Sequence, residues 1–134
     1  MSSAYAALGV MGPNAREFLQ KVSDADLSNE GFPYGTAKEI SVGNATPLAV
    51  RMSFAGELGW ELYVHTEFAV GMFDALMIAG KDLNVKLVGL HALDSLRLER
   101  GLKHWPSDMG PEQTPLEAGL GFAVDFEKDN FLGK

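Results

Sequence analysis

The stretch that most constrains this chain is Arg51-Met52-Ser53-Phe54-Ala55-Gly56-Glu57-Leu58-Gly59-Trp60-Glu61-Leu62-Tyr63-Val64. Two runs of β-forming residues flank a short break, Ala55 to Gly59, with a glycine near each end. Apolar residues alternate on both sides of it, which is the period of a half-buried strand. The spacing predicts a β-hairpin with strands over Thr46–Phe54 and Trp60–His65 and the break at its tip. Leu48, Val50, Met52 and Phe54 are expected on one face, with Ala49, Arg51 and Ser53 on the other. In the second strand Trp60, Leu62 and Val64 share a face opposite Glu61, Tyr63 and His65.

Other elements follow from the hairpin's surroundings. Ala4 to Val10 is small, apolar and uninterrupted, a strand. Pro13 opens a helix with Ala15, Phe18, Leu19 and Val22 on one face, ending at about Val22. Asp24 to Pro33 is a loop. Gly35 to Val42 is a strand turning at Gly43-Asn44 into the hairpin. Thr66 is placed to cap a helix from Glu67 to about Lys81, with Gly80 at its end. That helix is apolar around most of its circumference, which predicts burial on more than one side, or self-association where cover is absent. A further helix is expected over His91–Gly101, where Asp94 can pair with Arg97. Lys103 to Pro115 is an ordered loop, and Phe122 to Phe126 a last short strand. The order predicts an α+β fold, in its simplest form a ferredoxin-like antiparallel sheet with helices on one face.

Composition limits what such a domain can do. Of 134 residues, 18 are acidic and 11 are Lys or Arg, a net charge of −7 with no basic cluster, which argues against a nucleic-acid partner. There is no cysteine, so disulfides and thiolate metal sites are excluded. His65, His91 and His104 are scattered singly, and no metal site is expected. No apolar run reaches the roughly 20 residues of a membrane helix. Dinucleotide and phosphate-loop glycine patterns are absent, and Ser95 beside Asp94 lacks the base of a catalytic triad.

Two places remain for chemistry. Glu57 is a carboxylate held at a turn between strands, and it can accept two parallel N–H donors such as an amino-pyrimidine or pterin edge presents. The same spacing also makes a plain β-turn with a surface glutamate. The second is Asp94, Arg97, Glu99 and Arg100 on one helix, equally consistent with a solvated or internally paired helix face. Trp60 and Trp105 can stack on a flat ligand or simply fill a core.

Five blocks, in order, add to this reading: Gly9-Val10-Met11-Gly12-Pro13-Asn14-Ala15-Arg16, Arg51 to Val64, Ser95-Leu96-Arg97-Leu98-Glu99-Arg100-Gly101, Thr114 to Leu120, and Asn130-Phe131-Leu132-Gly133-Lys134. Together they resemble the folate-binding T-protein (aminomethyltransferase) family of glycine cleavage, and more closely the C-terminal folate modules of dimethylglycine and sarcosine dehydrogenases. The resemblance implies tetrahydrofolate as cofactor, with Phe54, Ala55, Gly56, Glu57 and Leu102 at cofactor-binding positions and Glu57 on the pterin ring. Phe54 stands where the family usually has tyrosine. Leu93 replaces a folate-contacting arginine of the glycine-cleavage enzymes, and Leu102 replaces a tyrosine. The resemblance also places the family's catalytic aspartate upstream of the Gly12-Pro13 block and a C-terminal barrel beyond Lys134. Residues 1–134 are therefore expected to be the central part of a folate-binding domain, with no catalytic residue of their own and no activity alone.

The function implied is transfer of a one-carbon unit from a small N-methyl or aminomethyl donor to tetrahydrofolate, with self-association or a flavin domain as partner. The expected compartment is the cytoplasm, or the mitochondrial matrix in a eukaryote. Two other readings are a folate-binding or structural module without catalysis, and a folate-binding regulator of RNA modification. The acidic charge suits the last of these less well.

Overall fold

Trp60, Leu62 and Val64 set the inner face of a four-stranded sheet. A computed structural model describes residues 2–133, and all three side chains are buried in it while Tyr63 and His65 stay exposed. The chain divides into two units, the first ending at Arg100 and the second running from Gly101.

In the first unit the order is β1 (Tyr5–Met11), α1 (Ala15–Gln20), β2 (Ala37–Glu39), β3 (Leu48–Val50), β4 (Gly59–His65), α2 (Thr66–Ala79) and α3 (Leu90–Glu99). The sheet order is β1-β4-β3-β2, and every neighbouring pair is antiparallel. Register puts Val10 opposite Trp60, Leu8 opposite Leu62 and Ala6 opposite Val64, so β1 and β4 build one apolar face together. Phe18 and Leu19 of α1 and Met72 and Leu76 of α2 pack on that face with Leu27, Phe32 and Val42. The α+β architecture, an antiparallel sheet with helices on one side, is the one expected from the element order.

Several local expectations are corrected. The inner face of β3 is the opposite one: Ala45, Pro47 and Ala49 are buried, whereas Leu48 and Met52 are exposed. Ala49 lies opposite Leu62 and Leu48 opposite Tyr63. Trp60 and Phe32, edge-on with centroids 6.2 Å apart, take up the volume beneath this part of the sheet, and alanine is the side chain that fits beside them. Arg51, on the same inner face, brings its guanidinium 5.7 Å from the Trp60 ring and donates to Asn29 Oδ1 at 2.7 Å and to the Phe32 carbonyl. Regular pairing in β3 stops at Val50, so the hairpin connection is longer than the break read from sequence.

Gly43-Asn44 does turn the chain, between bridge partners Val42 and Ala45. Thr66 begins α2 but does not cap it: its hydroxyl donates to the Ser3 carbonyl at 2.8 Å, and His65 occupies the cap position. Gly80 ends α2 as expected. The wide apolar surface of α2 is covered on one side only, leaving Val70 and Ile78 exposed. In the second unit, the strand predicted over Phe122–Phe126 is absent. The chain there forms a single 3-10 turn, Gly121–Ala123, and Phe122 points into solvent with no partner strand among the described residues.

Candidate functional site

Between the end of β3 and the start of β4 the chain makes a turn whose geometry depends on one glycine. Gly56 has φ +73°, in the left-handed region that side chains with a Cβ disfavour. A Cβ at Gly56 would also lie 2.2 Å from Cγ and 2.6 Å from Cβ of Arg100. The turn and the C-terminal end of α3 therefore approach closely, and the missing side chain is the space into which Arg100 fits.

That approach joins the two candidates that the sequence kept apart. Arg100 Nη2 donates to Glu57 Oε1 at 3.0 Å, with the side chains 57% and 37% exposed. Glu57 Oε2 carries no hydrogen bond among the described residues. One turn of helix earlier, the Arg97 guanidinium lies 5.6 Å from the Phe54 ring centre, and its Nε donates to Asp94 Oδ1 at 2.9 Å. Arg97 is only 4% exposed, so the internally paired reading of the helix face holds for Asp94–Arg97 but not for Arg100. Ala55 is buried, Phe54 and Gly56 are half-buried, and Ser53 Oγ is buried with no hydrogen-bond partner among the described residues. Leu102 is half-buried and belongs to the second unit.

Chemically the turn offers a carboxylate with one oxygen engaged and one open, an aromatic ring backed by a cation, and an unsatisfied hydroxyl. An open carboxylate oxygen and an orphaned hydroxyl want hydrogen-bonding partners. A flat heterocycle with adjacent N–H donors supplies the partner that the carboxylate lacks, so Glu57 fits a pterin edge, while the buried Ser53 Oγ is closed to a ligand. A concavity of about 580 Å³ runs along α1 from Pro13 to Lys21 and reaches Leu58, but Glu57 does not line it. Among the described residues there is no group of three or more His, Asp or Glu placed to hold a metal ion, and no helix long and apolar enough to cross a membrane.

Sequence reasoning missed two features. Nothing in the spacing pairs Glu57 with Arg100, because the contact is made by the fold. The second was readable: Thr114-Pro115-Leu116-Glu117 has capping-box spacing. Glu117 Oε2 accepts from the Thr114 backbone N–H and hydroxyl, both at 2.9 Å.

A profile of the GCVT N-terminal domain matches residues 1–128. The chain is 45% identical over 134 residues to 4-methylaminobutanoate oxidase (formaldehyde-forming) of Paenarthrobacter nicotinovorans, covering 99% of this chain and 16% of that protein. It is 42% identical over 128 residues to mitochondrial sarcosine dehydrogenase of Homo sapiens, covering 95% and 14% respectively. It is 43% identical over 134 residues to an aminomethyltransferase of Caldanaerobacter subterraneus subsp. tengcongensis, covering 100% and 36%. Among solved structures it is similar to the heterotetrameric sarcosine oxidase from Corynebacterium sp. U-96 in complex with pyrrole 2-carboxylate. That match has a TM-score of 0.56 and 25% identity, over 66% of this chain and 44% of the other. The matches thus cover less than half the length of each of these proteins.

Proposed function

This chain belongs to the GCVT N-terminal domain family, shared by aminomethyltransferases and demethylating dehydrogenases, and from that premise we propose that its Phe54–Leu58 turn binds tetrahydrofolate. The larger activity it serves is transfer of a one-carbon unit from an N-methyl or aminomethyl donor. The observation that carries the binding assignment is the open Oε2 of Glu57, on a turn that Gly56 and Arg100 hold in place.

Glu57 accepts the paired N–H donors of the pterin, a charge-assisted interaction stronger than one between neutral groups. Phe54, with Arg97 against its ring, offers a flat apolar surface beside that carboxylate. Tetrahydrofolate, when bound, supplies the ring nitrogen that takes up the one-carbon unit. The residues of this chain contribute position and electrostatics, which lower the barrier by fixing the reacting partners. Relatives whose names carry N-methyl amino acids and formaldehyde formation support an N-methyl amine as donor and an oxidising partner, such as a flavin domain, as the source of the one-carbon unit.

Calorimetric titration of the full chain with tetrahydrofolate tests the binding assignment. Glu57→Gln keeps the shape, removes the charge and turns one acceptor into a donor. A hydrogen bond to a charged group is worth roughly 1.5–3 kcal/mol, so affinity falls about tenfold to a hundredfold. Glu61→Gln, on the open face of the sheet, changes affinity little. Equal binding by Glu57→Gln and the unsubstituted chain refutes the assignment. Loss of binding together with loss of thermal stability makes Glu57 structural instead.

A further inference from the structure

The Glu57–Arg100 pair is solvent-exposed and contributes little to folding, as such pairs do. Its arrangement is informative about recognition. Oε2, Oε1 and Arg100 Nη2 present two acceptors followed by a donor, with Nη2 3.0 Å from Oε1. The complementary heterocycle edge reads donor, donor, acceptor. A 2-amino-4-oxo pyrimidine ring offers that order: an amino N–H, a ring N–H, then the C4 carbonyl. Glu57 alone can read only the first two positions.

We propose that Arg100 is a specificity-determining residue, donating to the 4-oxo group of a pterin held by Glu57 and so selecting 4-oxo over 4-amino pteridines. This inference rests on the folate reading and adds to it the atom that distinguishes one pteridine from another. A guanidinium has five N–H donors, and Arg100 uses one among the described residues, which leaves donors to turn toward a carbonyl without releasing Glu57. Gly56 contributes by absence, since the volume of its missing Cβ is filled by the Arg100 stem. On a 4-amino ring the exocyclic group becomes a donor facing Nη2, and the ring nitrogen presents a lone pair to Oε1. Both contacts are then mismatched, and sites built to hydrogen-bond a ligand reject such analogues strongly.

The test compares tetrahydrofolate with 4-amino-4-deoxytetrahydrofolate by calorimetry, on the full chain and on Arg100→Met and Arg100→Lys, with melting temperatures alongside. The unsubstituted chain is expected to prefer the 4-oxo ligand. Arg100→Met loses about tenfold in affinity for it. The same substitution leaves the 4-amino ligand unchanged or tighter, so the preference shrinks. Arg100→Lys, which keeps a donor, retains most of the preference, and melting temperatures hardly move. If Arg100→Met weakens both ligands equally, or neither, this inference fails while the folate reading stands. If the unsubstituted chain binds neither ligand, the folate reading itself fails and this inference with it.

Discussion

Gly56→Ala puts the geometry of the turn to a quantitative test. Two costs add. The first is conformational: at φ +73° an L-residue is left-handed, which costs roughly 1–2 kcal/mol. The second is steric. The new Cβ would sit 2.2 Å from Arg100 Cγ and 2.6 Å from Arg100 Cβ. Cγ can swing away by a rotamer change, but Cβ moves only if the end of α3 shifts, and an off-rotamer side chain alone costs about 0.5–1.5 kcal/mol. Together these predict a destabilisation of roughly 1.5–3.5 kcal/mol. Gly35→Ala is the internal reference. Gly35 has φ +77° but nothing within 4 Å of a built Cβ, so it carries only the conformational cost. Denaturant unfolding of the full chain, with midpoint and slope fitted for both variants, isolates the steric part as their difference. If Gly56→Ala is no more destabilising than Gly35→Ala, the close approach of turn and helix is wrong, and the Arg100 proposal loses its geometric basis.

Three further outcomes are expected. The Tyr63 hydroxyl donates to Glu61, and that bond, followed by burial and the nearby negative charge, raises the phenol above its ordinary 10.0; its stabilisation is present at lower pH and is lost as pH rises through the raised value. Glu61→Gln should return Tyr63 toward ordinary titration by phenolate absorbance, and an unchanged titration refutes the coupling. Glu117 is held below its ordinary 4.5, first by the Thr114 backbone N–H and then by the Thr114 hydroxyl, so the turn it closes loses support as pH falls below 4.5. Protection of the amides over residues 114–120, taken relative to the intrinsic exchange rate at each pH, should then fall in the native chain, and Thr114→Ala should lower it at neutral pH; protection indifferent to both refutes it. The exposed Val70 and Ile78 on α2 predict self-association that Val70→Lys with Ile78→Lys reduces, and light scattering showing a clean monomer at high concentration, with no exposed-hydrophobe dye binding, refutes it.

What was legible in the sequence was whatever a single element decides for itself. The alternation of Trp60, Leu62 and Val64, the helical stripe of Ala15, Phe18 and Leu19, and the turn at Gly43-Asn44 each needed only local periodicity or local backbone demands. The face of β3 was misjudged for the converse reason. Leu48, Val50, Met52 and Phe54 are the more apolar set, yet burial went to Ala45, Pro47 and Ala49, because Phe32 and Trp60 had already filled the space beneath. Residue hydrophobicity ranks candidates for burial, but the room left by larger neighbours chooses among them. The strand expected at Phe122–Phe126 failed in a related way: β propensity describes how a residue sits in a sheet, and among the described residues no partner strand pairs with it.

The site divides along the same line. Glu57 could be picked out because a carboxylate between two glycines at a hairpin tip is a local pattern. The partner Arg100 could not, since its contact with Glu57 depends on where α3 ends relative to a turn 43 residues earlier in the chain. Its helix neighbours gave no sign of the crossing: Asp94 and Arg97 pair at i and i+3, as on a purely structural helix face, and Arg97 is buried accordingly. Arg100, one turn further on, has no such partner in its own helix and crosses to Glu57 instead. A buried arginine paired within its helix and an exposed one paired across the fold do different work. The first holds α3 against Phe54. The second leaves a donor beside an open carboxylate oxygen, where a ligand can reach both.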